Sequence, residues 1–135
     1  MNKTVRTPVA NLYKEHSFIS EQVTQALLGE HLEILCSHDS WFKVRQWDGY
    51  DSWVHGFYLV DAIDPNLEMY FFDSHTSALQ FKDGNKIFIP FGSKLPIYKT
   101  LKKSIQLRLP WGDIGEFYFM KKNNFNNNLD KLVAN

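Results

Sequence analysis

Cysteine is almost missing from this 135-residue chain, in which Cys36 stands alone. A single thiol can form neither an internal disulfide nor a zinc cluster. Net charge is missing as well. Fifteen Lys and Arg balance fifteen Asp and Glu, so no global field draws the chain to nucleic acid or to an anionic membrane, and neither is expected as a partner. No apolar run approaches the roughly 20 residues of a membrane-spanning helix. The opening MNKTVRTPVANLY lacks the apolar stretch of a secretory signal. A cytoplasmic location is therefore expected for the chain as given, or a periplasmic or secreted one if a leader was removed. The seven glycines are isolated turn residues with no phosphate cradle among them. His16, His31, His38, His55 and His75 show no helical i, i+4 pair and no cysteine partnership, so they read as scattered surface residues. No metal and no other cofactor is expected.

Apolar material is plentiful: 44% of the residues are hydrophobic and 16% aromatic, enough for a core. The zero net charge conceals an asymmetry. Residues 1–81 carry five Lys and Arg against eleven Asp and Glu, and residues 82–135 carry ten against four. The halves thus have charges of −6 and +6, which can attract across an internal contact.

A repeat runs through the chain. Gly29-Glu30-His31-Leu32-Glu33-Ile34 resembles Gly92-Ser93-Lys94-Leu95-Pro96-Ile97 at an offset of 63. Without a gap, the same offset sets Phe42 on Ile105, Val44 on Leu107, Arg45 on Arg108, Gly49 on Gly112 and Val54 on Phe117. Each copy reads as short alternating strands. In HLEILC, Leu32, Ile34 and Cys36 share one face, which predicts a buried Cys36. In WFKVRQW, Phe42 and Val44 point one way, while Trp41, Lys43, Arg45 and Trp47 point the other. Asp48-Gly49 is a strong hairpin signal before SWVHGFYLV. Pro90 and Pro96 are expected at strand ends or on edge strands.

The fold class expected is all-β: two small SH3-like barrels in tandem with a short helical segment at the C-terminus. The first unit is expected over 1–64 and the second, divergent one over 65–122. Residues 123–135 read as a linker and the start of a helix at Leu129, with Asn128 as its N-cap.

Aromatic residues carry the functional signal. With Phe42 and Val44 in the core, Trp41 and Trp47 face outward, and Tyr50, Trp53, Phe57 and Tyr58 follow closely. Such a cluster beside a turn suits a peptide- or glycan-binding surface, since the rings supply rigid contact area and polar handles. Asp48 and Asp51 beside the turn read first as turn-forming and solvated residues.

Several motifs in order then resemble a bacterial SH3 (SH3b) domain. They are Val9-Ala10-Asn11-Leu12, Ser20 through Glu30, Trp41 through Val44, and Asp48-Gly49-Tyr50 with Trp53-Val54. The resemblance is to the front of NlpC-type peptidoglycan endopeptidases, the dipeptidyl-peptidase VI-like enzymes. IFIPFGSKLPIY and LRLPWGDIGEF resemble the divergent second repeat of the same enzymes. In that family the two barrels precede a papain-like domain with a Cys/His pair, which cleaves the bond between γ-D-glutamate and the diamino acid of stem peptides. The Asp-Cys-Ser-Gly nucleophile motif and the downstream histidine are absent here. No catalytic residue is therefore expected, and the chain reads as a recognition and targeting module rather than an enzyme.

The resemblance implies that loops of the first barrel help select a free N-terminal L-Ala-γ-D-Glu peptide. Glu15 and Tyr50 occupy the matching places as ammonium acceptors, with Asp48, Trp47 and Trp53 around them. The family has glycine where Ser52 stands. The partners implied are a peptidoglycan-derived peptide and an NlpC-type catalytic domain, and a monomer is expected. The alternative is a stand-alone SH3-like module for protein or peptide interaction.

Overall fold

The computed structural model describes residues 1–62, 66–73 and 77–119. The expected helix at Leu129 and its Asn128 cap lie outside the described residues. Among the described residues thirteen strands form two sheets. The first holds β1 (Asn2–Val5), β2 (Val9–Tyr13), β3 (Gln22–Leu27), β4 (His31–His38), β5 (Trp41–Arg45), β6 (Asp51–His55) and β7 (Leu59–Asp61), with a single 3-10 turn at Gly56–Tyr58. The second holds β8 (Met69–Phe71), β9 (Ser77–Gln80), β10 (Lys86–Ile89), β11 (Lys94–Thr100), β12 (Ser104–Arg108) and β13 (Ile114–Tyr118).

The strand orders are β3-β2-β6-β5-β4-β1-β7 and β10-β9-β13-β12-β11-β8. Apart from β7 they are the same order, and every ladder is antiparallel. Among the described residues neither ladder closes into a ring, so the architecture is SH3-like but the sheets are open barrels. Each is nonetheless wrapped on a core of its own. Val5, Ala10, Leu12, Ala26, Leu32, Val44, Val54 and Leu59 meet in one buried cluster, one or two from every strand of the first sheet. A flat sheet could not bring its two edges to one cluster, so this sheet is strongly bent.

The repeat holds at the level of backbone geometry. At the offset of 63, β5 falls on β12 and β6 on β13, end to end. The bulge between Ile34 and Cys36 recurs between Ile97 and Lys99. The Gly49 amide donates to the Gln46 carbonyl at 2.9 Å, and the Gln46 amide to the Tyr50 carbonyl at 3.0 Å. In the second sheet Gly112 donates to Leu109 at 2.8 Å and Leu109 to Asp113 at 2.7 Å. Ahead of the glycine turn the offset becomes 67: Tyr13 pairs with Trp53 where Gln80 pairs with Glu116. Three of the four lie in one connection, residues 14–21 in the first sheet against 81–85 in the second, and the fourth is the extra β3 residue at the bulge opposite Leu12 and Tyr13.

The two halves also share a boundary. Leu28, from the turn between β3 and β4, is fully buried in the second core beside Phe72, Leu79, Ile89 and Leu95. Gly29, at φ +85°, lies so close to the Lys94 carbonyl that a Cβ on it would stand 1.8 Å from the oxygen. Its repeat-mate Gly92 faces Leu27. The equivalent glycine turns of the two halves therefore pack on each other.

The prolines fall as follows. Pro90 comes just after β10, an edge strand, as expected. Pro96 is inside β11, which has neighbours on both sides. The Ile97 amide donates to Glu68 on the β8 side, so the Pro96 nitrogen faces β12 at a level where the β11–β12 ladder has ended. The missing N–H is thus harmless without an edge position.

Candidate functional site

The corner between β5 and β6 is built to hold side chains outward. Gly49 takes φ +84°, which glycine adopts without steric cost. Asp48 Oδ1 accepts the Tyr50 amide at 3.1 Å, closing a local turn. Behind the corner, the buried Gln46 side chain donates from Nε2 to the Gln25 carbonyl and to Glu30 Oε2, both at 3.0 Å. The other oxygen of Glu30 accepts the Leu27 amide at 3.1 Å. Across the strands Arg45 grips Asp51 with two bonds, Nε to Oδ1 at 2.7 Å and Nη2 to Oδ2 at 2.9 Å. That hydrogen bond raises the Arg45 pKa and lowers that of Asp51. On this frame Trp47 is 85% exposed and Tyr50 46% exposed. Ser52 is buried, with its side chain on the core-facing side of β6 next to Val54 and its Oγ without a partner.

One strand over lies an aromatic face. Tyr13, Trp41, Trp53 and His55 share the outer side of β2, β5 and β6, as the pairs Tyr13–Trp53 and Trp41–His55 require. The 14–21 connection folds back onto it. Phe18 meets Trp41 at 4.6 Å between ring centroids, His55 at 5.4 Å and Tyr13 at 5.6 Å. His16 lies tilted against Trp53 at 5.0 Å and His38 at 4.1 Å between ring centroids. Three histidines that read as scattered in the sequence are thus gathered here. Among the described residues no group of His, Cys, Asp and Glu is arranged to hold a metal ion.

Two expectations are corrected on this face. Trp41 points to the outer side as its alternation requires, yet it is buried at 9% exposure because Phe18, Tyr13 and His55 cover it. Cys36 is exposed, not buried. The bulge between Ile34 and Cys36 adds a residue to β4, and past it the alternation is inverted.

The five site residues expected from sequence fall into three places. Trp47, Asp48 and Tyr50 share the corner, and Asp48 already serves its turn. Trp53 belongs to the aromatic face, partly covered by His16. Glu15 is exposed in the 14–21 connection, held through its backbone by Ser17 and Ser20. No hydrogen bond joins Glu15 to Tyr50. Phe18, His16 and His38 escape a reading of the sequence, since nothing in the local pattern signals a loop that folds back on a distant strand. Phe57 sits in the 3-10 turn under the Arg6 guanidinium, 4.4 Å from its centroid, and Tyr58 packs on the core.

Comparison with known proteins agrees with this geometry. Residues 8–60 match the bacterial SH3 domain. The match covers all of β2 through β6, the corner and the aromatic face. A solved NlpC/P60 family protein from Bacillus cereus superposes with a TM-score of 0.75 at 15% identity, over 87% of this chain. At that identity the likeness is one of fold, and this chain spans 54% of the solved protein's length. NlpC1 and NlpC2 from Trichomonas vaginalis also match over 87% of the chain, at 16% identity, covering 43% and 45% of those proteins. With TM-scores of 0.40, those two superpose only loosely. No curated protein matches the chain in sequence.

Proposed function

We propose that this SH3b-containing chain is a cell-wall peptide recognition module, working beside a peptidoglycan stem-peptide endopeptidase domain rather than as a catalyst itself. The tandem arrangement supports reading residues 1–64 and 65–122 as two units, with recognition in the first. The ligand proposed is a peptide with a free N-terminal L-Ala-γ-D-Glu. The observation that carries the reading is the corner: within the segment matching the bacterial SH3 domain, Trp47 and Tyr50 stand exposed on a hydrogen-bonded frame. The exposed Glu15 supplies a carboxylate of the kind an ammonium group requires. Such a charge-assisted bond is worth about 1.5–3 kcal/mol.

The test is an NMR titration of the chain with L-Ala-γ-D-Glu-containing stem peptide and, separately, a proline-rich peptide. Shifts at Tyr50 and Trp47 with the wall peptide are expected, with affinity weakened about tenfold or more by Glu15→Gln or Tyr50→Phe. Shifts with the proline-rich peptide alone would move the reading to a general peptide-interaction module.

A further inference from the structure

The outer face of the second sheet is the counterpart of the aromatic face, but it is open. In the first sheet the 14–21 connection lays Phe18 and His16 across Trp41 and Trp53. The corresponding turn, 81–85, is three residues shorter and leaves that face uncovered. What remains is a groove of about 1080 Å³. Its floor is Gln80, Gln106 and Glu116, which replace Tyr13, Lys43 and Trp53 of the first sheet. Its rims are Trp111, Tyr98 and Tyr118.

These groups are fixed in place by contacts that the core does not need. The Trp111 Nε1–H donates to Asp113 Oδ2 at 2.7 Å, which orients the indole. The Arg108 guanidinium lies 5.2 Å from the Tyr98 ring centroid and steadies that ring. Glu116 accepts a hydrogen bond from the Ser104 hydroxyl. Asp83 accepts both the backbone amide and the side-chain amide of Asn85, each at 2.9 Å, setting the short turn at the rim. Preformed geometry of this kind reduces the ordering cost of binding.

We infer that this groove is a second ligand site, one that takes a neutral oligosaccharide. Exposed flat rings on both rims offer stacking surface for the apolar faces of sugar rings, and their phenol groups offer polar handles. The floor supplies amides, which donate and accept at once, beside a carboxylate that accepts from hydroxyl groups. Among the described residues Lys82 is the single cation of the lining, against Asp83, Asp113 and Glu116. An anionic ligand is therefore disfavoured even though this half of the chain is basic overall. Each of those carboxylates already accepts an internal donor, so a polyhydroxyl ligand can use the remaining lone pairs without a charge partner. This site is independent of the Tyr50 corner, and either can fail without the other.

The test is an NMR titration of the full chain with chitotetraose and with cellotetraose. Saturable shifts are expected at the Trp111 indole N–H and at the Gln106 and Glu116 amides with at least one sugar, unchanged between low and high salt. Trp111→Ala is expected to weaken binding about tenfold. Gln106→Ala, which alters a strand surface without touching the core, is expected to weaken it while leaving the rest of the spectrum in place. The inference is overturned if millimolar sugar moves no resonance of the groove, or moves only the Trp41–Trp53 face. It is equally overturned if a lysine-containing peptide shifts Trp111 with a steep salt dependence and neither sugar does.

Discussion

The two sheets share strand order, bulge position and corner hydrogen bonds, yet their outer faces have opposite chemistry. Tyr13, Trp41, Trp53 and His55 in the first correspond to Gln80, Ser104, Glu116 and Tyr118 in the second. The aromatic side chains and the loop that covers them go together. Three more residues in 14–21 let Phe18 reach Trp41, and a surface that would otherwise expose two tryptophans is partly sealed. With the shorter turn the second face stays open, and its floor is polar, Gln80, Gln106 and Glu116, with aromatic rings at its rims. Behind the corners the contrast reverses. Gln46 and Glu30 form a partly buried polar tie, whereas their counterparts Leu109 and Ser93 are an apolar core residue and a serine whose hydroxyl has no partner. One scaffold thus carries two surfaces, and loop length decides which kind each can be.

The sharpest way to break the comparison is at its glycines. Gly29→Ala would put a Cβ 1.8 Å from the Lys94 oxygen at φ +85°, so the halves must move apart. A loss of about 4 kcal/mol or more in urea unfolding is expected. Gly112→Ala, at φ +104° with nothing within 4 Å, has only its backbone conformation to strain. About 1–2 kcal/mol is expected there. Equal costs would mean that the two turns do not pack as described.

Next in size is Leu28→Ala. Deleting a fully buried leucine costs about 2–5 kcal/mol. Although Leu28 belongs to the first half in sequence, the damage should appear in the second. Amide exchange at Leu79, Leu95 and Leu107 should quicken more than at Leu12 and Val44, which lie in the other core. The opposite order would place Leu28 in the wrong cluster.

Leu28 also marks where sequence reading stops. Leu27-Leu28-Gly29 is legible as the end of a strand and a turn, but which core receives the leucine depends on docking between halves. The offset of 63 is legible because β4 through β6 and β11 through β13 match without a gap. The change to 67 is not, since residues 14–21 and 81–85 have no pattern in common. Cys36 defeats the alternation rule because alternation is counted along one strand, while a bulge is a property of a pair. Trp41 lies on the side its alternation predicts, but its burial depends on Phe18, more than twenty positions earlier in the chain. At the corner, Gly49, Asp48 and Tyr50 form a local turn and are legible from local signals. The aromatic face is long-range, and only half of it can be read from sequence.

Phe18→Ala sharpens the comparison with a smaller effect, since it makes the first face resemble the open second one. Aromatic pairs contribute about 0.5–1.5 kcal/mol beyond their area, and Phe18 is itself half exposed, so about 1 kcal/mol of destabilisation is expected. The more telling readout is tryptophan emission. Trp41 should shift to the red as its cover is lost, and an unshifted spectrum would mean that the loop does not seal it.

The smallest expected effect concerns the seam. His31 and Lys94 are repeat-mates that meet there, around a cavity of about 620 Å³. Burial, then the Lys94 charge, lowers the His31 pKa below its ordinary value of 6.5, and its Nε2 is buried without a partner. A histidine whose folded pKa is depressed binds protons more readily in the unfolded chain. Its contribution to stability is therefore present above about 6.5 and is lost as pH falls through the lowered folded value. Urea midpoints for the natural chain should decline over that window. The decline should be shallower in His31→Gln, which removes the titration while His16, His38, His55 and His75 remain common to both proteins. Parallel declines in the two proteins would show that the seam tolerates a protonated imidazole beside Lys94, and hence that water reaches His31 Nε2 in solution.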